Sequence, residues 1–147
     1  MADFLTGMRI SSSGMAAQRM RMNTISSNIA NINTTQTPEG GPYRRKDVVF
    51  ESMPDAKNFG EILSAKDPNN QFQRVQVTDI ISSTKPPLLK YEPNHPDANP
   101  EGYVAYPSIN LMEEMTNMIQ ATRSYEANVS ALQASKDMAL SALEIGR

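Results

Sequence analysis

A chain of 147 residues suits one compact domain, or one small domain with extended terminal helices. Its net charge of -2 argues against general nucleic-acid binding, which normally shows as a basic surplus, and the absence of cysteine excludes disulfides, thiol catalysis and cysteine-based zinc sites. No stretch is apolar for long enough to span a bilayer, and Met1 to Ile10 lack the pattern of a cleaved secretory signal, so we expect neither feature.

The first segment, residues 1–33, is predicted to be the N-terminal helix of a helical core domain. It contains no proline, and its apolar residues repeat at heptad spacing. Ser11 and Gln18 interrupt this seam with polar side chains. Such a helix is too long for a domain this small to cover its narrow apolar stripe, so we expect it to pack along a partner helix. The seam residues are Met8, Met15, Met22, Ile25, Ile29 and Ile32.

The middle segment, residues 34–106, differs in composition from both ends. It holds all but one of the ten prolines, and a turn cluster at residues 37–42 is expected to end the first helix. Runs rich in β-branched and aromatic residues predict a few short strands joined by long loops. The candidate strands are residues 43–51, 72–81, 88–91 and 103–106.

The third segment, residues 107–147, is predicted to be the C-terminal helix of the core domain. Asn110 suits the N-cap, and a heptad pattern continues for more than four heptads, with Thr122 and Lys136 as polar exceptions. The predicted fold is therefore mainly α, with an antiparallel, coiled-coil-like pair of terminal helices and a small β-rich middle. The named seam residues of this helix are Leu111, Met115, Met118, Tyr125, Asn128, Val129, Leu132 and Leu143.

Residues able to carry chemistry are scarce. His95 is the only histidine, and because no partners for a catalytic triad can be nominated, we interpret it as a solvated loop residue. Asp97 and Asn99 lie in the same loop without the spacing of a calcium-binding loop, so we interpret them as turn residues. Motifs that bind phosphates, dinucleotides or catalytic zinc do not occur. We expect no enzymatic activity, cofactor or metal.

A short basic run, Arg44, Arg45 and Lys46, has two interpretations. Surface charge is the default, so these side chains can simply form a solvated strand face. Alternatively they make a salt-sensitive contact with an acidic patch on a neighbouring subunit. Both interpretations remain open from the sequence, with the solvated face favoured.

Both ends of the chain resemble flagellar axial proteins, the family of rod, hook and hook-associated subunits. The N-terminal match centres on GMAAQ at residues 14–18 and ISSNIAN at residues 25–31. The C-terminal match includes RSYEAN at residues 123–128, which ends at Asn128. The short chain and GPYRRKDVVF at residues 41–50 are most similar to a proximal rod subunit.

This resemblance implies a structural subunit of the bacterial flagellar basal body. Such a subunit polymerises through its terminal helices, with itself and other rod proteins, into the tubular drive shaft used for motility and export. It implies passage through the flagellar export apparatus without a cleaved signal, location in the periplasm-spanning rod, and contact with the basal-body membrane ring. It implies neither nucleic-acid binding nor a membrane span.

Asn28 and Asn31 lie three residues apart on one helical face, among isoleucines. Two asparagines there suggest side-chain hydrogen bonds to neighbouring backbones or subunits. Because the family motif has asparagine at both places, we favour the contact between subunits over simple preparation for the helix end. A competing function for the whole chain is a soluble cytoplasmic coiled-coil adaptor or secretion chaperone. An adaptor should form a closed oligomer when purified, whereas a rod subunit should stay monomeric or form ill-defined polymers.

Overall fold

Two long helices frame the chain in the computed structural model, which describes residues 2–54 and 73–145. Helix α1 spans Ala2–Ala30, and helix α2 spans Leu111–Ile145. The predicted fold class, mainly α with a small β-rich middle, is confirmed. Four strands lie between the helices in the described residues: β1 at Lys46–Pro54, β2 at Gln73–Ser82, β3 at Leu88–Tyr91 and β4 at Tyr103–Tyr106.

The two helices pack side by side and run antiparallel. Asn28, near the end of α1, bonds Glu114 in the first turn of α2, whereas Gly14, halfway along α1, faces Asn128. Ala17 and Ala121 are among the most buried residues of the described chain. Small side chains at these positions let the two backbones approach closely, which explains why the seam can form with few large apolar residues.

Strands β1 and β2 form an antiparallel ribbon that lies along α1. Their register runs from Lys46 opposite Ser82 to Pro54 opposite Gln73, with one bulge beside Phe50. The Val75 amide donates to the Ser13 hydroxyl at 3.2 Å, and the Arg21 guanidinium lies 4.5 Å from the centre of the Phe50 ring. Helix α1 is therefore covered by α2 on one side and by the ribbon on another.

Strands β3 and β4 form a second, shorter hairpin, whose loop contains the polar residues considered above. The Asn99 side-chain oxygen accepts from the amides of Glu101 and Tyr103, so its predicted turn role is confirmed. The Thr35 hydroxyl donates to Asp97 at 2.7 Å, which ties the loop to the end of α1. His95 is half-buried and stacks edge-on against Tyr106, so the expectation of a solvated histidine is wrong.

The two glycines inside α1 should respond differently to substitution. A Cβ at Gly7 would meet no atom within 4 Å, whereas a Cβ at Gly14 would lie 3.1 Å from the Asn128 amide nitrogen. We expect Gly7→Ala to raise the free energy of unfolding by about 0.5–1 kcal/mol, because alanine favours helix. Gly14→Ala should give a smaller gain or a loss. Urea unfolding followed by circular dichroism measures both, and equal gains would contradict close approach at Gly14.

Candidate assembly surface

A buried polar cluster joins α1, the base of the ribbon and α2, and Asn28 is at its centre. Asn28 is fully buried. Its side-chain nitrogen donates to the Lys46 carbonyl at 2.8 Å and to Glu114 Oε2 at 3.0 Å. Its side-chain oxygen accepts from the Lys46 amide at 2.9 Å and from the Tyr43 hydroxyl at 3.1 Å. Two donors and two acceptor positions are the full capacity of an asparagine side chain, so every one is used.

Glu114 supplies the only fully buried carboxylate of the described residues, and Arg45 neutralises it. Arg45 Nε donates to Glu114 Oε1 at 2.7 Å, and the same guanidinium reaches Asp47 at 3.2 Å. Burial by itself lowers the pKa of Arg45, but the hydrogen bonds and charges of Glu114 and Asp47 together outweigh it, so this pKa is raised. A buried charge without its partner is strongly destabilising. The Arg45–Glu114 pair therefore holds the base of the β1–β2 ribbon against α2.

This cluster changes the interpretation of three predicted contact residues. Asn28 has no unused hydrogen-bonding group, so the expectation that it bonds a neighbouring subunit is wrong. Asn31 donates to the Ser27 carbonyl at 2.8 Å and accepts from the Thr34 hydroxyl, which is the alternative role at the helix end. Arg45 is paired with Glu114 of its own chain, so the suggested contact of Arg45 with a neighbouring subunit is also wrong. The role of Glu114 was not predictable from the sequence because its partners are distant in the chain.

Three of the predicted seam residues, Met22, Tyr125 and Asn128, make contacts between the helices. The Thr122 hydroxyl is 3.6 Å from the Met22 sulfur, and Arg19 donates to the Tyr125 hydroxyl at 3.4 Å. Ile25 is buried. Whether these residues also contact other subunits stays a prediction. The half-buried members are Met8, Met15, Met22, Ile29 and Ile32 on or just after α1, and Met118, Tyr125, Asn128, Val129 and Leu132 on α2.

Leu111, Met115 and Leu143 are exposed, so their predicted place in the seam within this chain is wrong. The heptad pattern was identified from large apolar residues, whereas two helices that approach closely have small residues at their contact. Glu114 can be buried in the seam because Arg45 neutralises its charge. Leu111 and Met115 instead join an exposed group that we name the α2 patch. Its members and their exposures are Leu111 (43%), Met112 (70%), Met115 (48%) and Ile119 (53%).

The remaining members of the basic run stay candidates for a contact between subunits. Arg44 is exposed, and Lys46 is exposed with its amine 5.9 Å from the centre of the Tyr43 ring. Only the backbone of Lys46 takes part in the buried cluster. A neighbouring acidic surface therefore has access to both charges, as the second of the two interpretations requires.

The described part of the chain offers little for catalysis. Within residues 2–54 and 73–145, no three histidine, cysteine, aspartate or glutamate side chains gather closely enough to hold a metal ion. In the same ranges, neither helix has the length and hydropathy needed to cross a bilayer. The features available for contacts with other molecules are the exposed apolar side chains on α2 and the exposed charges beside the ribbon.

Two family models match the ends of the chain. The model described as "Flagella basal body rod protein" matches residues 8–36, which cover most of α1. The model described as "Flagellar basal body rod FlgEFG protein C-terminal" matches residues 101–145, from the end of the β3–β4 loop through α2. Both matches therefore fall largely on the elements that form the antiparallel pair.

Curated relatives match along nearly the whole chain. A flagellar basal-body rod protein FlgC from Borreliella burgdorferi is 41% identical over 145 residues, covering 95% of each chain. Proteins with the same description are 41% identical in Bacillus subtilis, covering 95% of this chain and 96% of the relative, and 38% identical in Salmonella typhimurium, covering 94% of both. Identity at this level along almost the full length of both chains establishes common descent. The chain therefore belongs to the FlgC family of flagellar basal-body rod proteins.

Proposed function

We propose that this chain is a structural subunit of the flagellar basal-body rod, which polymerises through its terminal helices. The observation that carries the proposal is the match to FlgC rod proteins over 95% of this chain and 95–96% of the relatives. The structure supplies a physical basis, because the antiparallel pair leaves large apolar side chains uncovered on α2. Uncovered apolar surface of this kind marks a protein–protein contact.

The partners that we propose are further copies of this chain and other rod proteins. A rod that grows along an axis needs heterologous contacts, in which different surfaces of successive subunits meet, because self-complementary contacts close into dimers. The exposed side of α2 and the exposed charges Arg44 and Lys46 lie on different elements, as heterologous contacts require. Contact with the basal-body membrane ring is a further proposal that rests on family membership.

The location that we propose is the periplasm-spanning part of the rod, reached through the flagellar export apparatus without a cleaved signal. This proposal also rests on family membership. We propose no enzymatic activity. The support for this proposal is that Glu114, the most buried carboxylate of the described residues, is neutralised by Arg45. Asn28 beside it has no free hydrogen-bonding group, so neither side chain is available to a substrate.

The test is an in-frame deletion of the gene in the source organism, with a complementation control. We expect non-motile cells whose purified basal bodies, viewed by electron microscopy, stop at the membrane ring without a completed rod or hook. The complemented strain should swim and build both. Complete rods and hooks in the deletion strain would contradict the structural role and favour the cytoplasmic adaptor instead.

A further inference from the structure

The β3–β4 loop, residues 92–102, is attached by a side-chain hydrogen bond to the segment that follows α1. Among the described helices and strands, β3 and β4 pack only on each other. The Thr35 hydroxyl donates to Asp97 Oδ2 at 2.7 Å, although the two residues are 62 positions apart in the chain. This bond therefore contributes to the position of the hairpin relative to the helices.

His95 supports the same loop through a ring nitrogen that carries no proton. The Asp97 amide donates to His95 Nδ1 at 3.1 Å, so Nδ1 is an acceptor and the hydrogen of the neutral ring is on Nε2. The bond spans two residues, as the bond from an asparagine side-chain oxygen does in an Asx turn. A protonated imidazole donates from both nitrogens, so it cannot accept from this amide. The bond therefore exists only while the imidazole is neutral.

Protonation of the ring also creates a competitor for the oxygen that binds Thr35. His95 Nδ1 lies 3.9 Å from Asp97 Oδ2, the same oxygen that accepts from the Thr35 hydroxyl. At this distance a neutral ring makes no hydrogen bond, whereas an imidazolium attracts the carboxylate. The side chains of His95 and Asp97 are only 28% and 31% exposed, so water screens this attraction in part. A charged ring therefore draws the carboxylate away from Thr35.

The other titratable groups around the ring keep their charge while a histidine titrates. Tyr106 stacks edge-on against His95, and its hydroxyl donates to Glu92 Oε2 at 2.9 Å. The bond between Lys90 and Glu92 raises the pKa of the amine and lowers that of the carboxyl, and the bond to Glu92 raises the pKa of Tyr106. All three hold their protonation state between about pH 5 and 8, the range in which histidine ordinarily changes charge. The segment after α1 faces the pair through the uncharged Thr35.

We propose that His95 is a pH-sensitive switch on the attachment of the β3–β4 loop to the segment that follows α1. With a neutral ring, the Asp97 amide is bonded to His95 and the Asp97 carboxylate to Thr35. With a charged ring, the amide bond is lost and the carboxylate pairs with the imidazolium, so the loop loosens from Thr35. The attachment is therefore present at higher pH and is lost as the imidazole takes up its proton. The switch is a property of the single chain, so it holds or fails independently of the rod function.

The test is nuclear magnetic resonance of the purified full chain, titrated from about pH 8 to about pH 5. His95 is the only histidine, so with a tag that contains none its ring nitrogens give one unambiguous pair of signals. We expect Nδ1 to be the nitrogen without hydrogen in the neutral ring. As the ring is protonated, the Asp97 amide should lose about fivefold to tenfold in protection from hydrogen exchange, after correction for the intrinsic effect of pH. The Thr35 amide signal should shift with the same midpoint.

Two controls separate the switch from a general effect of pH. In His95→Asn, the new side-chain oxygen can accept from the Asp97 amide but does not titrate. We expect the Asp97 and Thr35 amides of this variant to stay constant across the same range. In the parent chain, the Glu101 amide donates to the Asn99 side chain of the same loop, and its protection should not change.

A neutral ring with its hydrogen on Nδ1 would overturn the proposal at once. A constant Asp97 amide, a Thr35 amide that does not follow the ring, or an unchanged pH dependence in His95→Asn would also overturn it. The parent titration decides between these results even where the variant folds poorly.

Asp97→Asn tests the competition for the carboxylate by itself, because an amide group keeps an acceptor for Thr35 but offers no charge to the imidazolium. We expect the Thr35 amide of this variant to stop following the ring, while the amide at position 97 still responds to it. A Thr35 signal that still followed the ring would show that attraction between charges does not loosen the loop.

Discussion

Asn28→Ala should lower the free energy of unfolding by about 2–4 kcal/mol, because it leaves one oxygen of the buried Glu114 carboxylate and the carbonyl and amide of Lys46 without their hydrogen-bond partners. The amide side chain satisfies Glu114 Oε2 together with the carbonyl and the amide of Lys46. Water cannot easily replace it, because both Asn28 and Glu114 are fully buried. The loss should be a large share of the stability of a domain this size.

Urea unfolding followed by circular dichroism measures this effect. Asn33→Ala is the matched control, since Asn33 is exposed just beyond the end of the same helix, and its change should stay within about 0.5 kcal/mol. Asn28→Ala cells should also lose motility if the intact junction is needed for assembly. If Asn28→Ala changed the free energy of unfolding as little as the control does, the cluster would contribute little to stability.

Ala121→Arg should disrupt the helix pair, with a loss of more than about 4 kcal/mol in the free energy of unfolding. Ala121 is 1% exposed at the seam, so a long charged side chain has neither room nor a partner there. Overpacking and the burial of an unpaired charge are both costly, and here they act together. The two helices should separate, and because packing supplies most helical stability, helix content should fall as well.

Ala127→Arg is the control for this second change, since it places the same side chain at an exposed position less than two turns away on α2. Far-ultraviolet circular dichroism of both variants measures helix content. Basal bodies from complemented cells report incorporation. We expect Ala127→Arg to keep helix content near that of the parent chain. Equal helix content and stability in Ala121→Arg would mean that the seam does not pass through Ala121.

The helices and strands were predictable from the sequence because their signals are local. The heptad repeats and the absence of proline predicted a first helix over residues 1–33, and the structure has it at Ala2–Ala30. Short apolar and aromatic runs on either side of a proline-rich loop predicted β3 and β4 at the residues where they occur. Hydrophobic periodicity and turn-forming residues act within a few positions, so a single sequence contains them in full.

The family was also determined by the sequence, because its signatures lie in continuous segments at both ends of the chain. The match to relatives along nearly the whole length confirms the rod family that the resemblance indicated. Which residues mediate assembly is a different matter. Of the predicted seam residues, Tyr125 contacts Arg19 and Ile25 is buried, whereas Leu111 and Met115 are exposed.

Only the tertiary structure decided the partners of the polar residues and the face of α2 that meets α1. Asn28 and Glu114 are 86 residues apart in the chain, and nothing near either one indicates the other. A count of large apolar residues passes over alanines and a neutralised glutamate, yet Ala17, Ala121 and Glu114 are among the most buried residues of the described chain. The physical reason is that hydrogen bonding and close packing depend on which surfaces approach in space, whereas a sequence pattern records only the preference of each residue for its own surroundings.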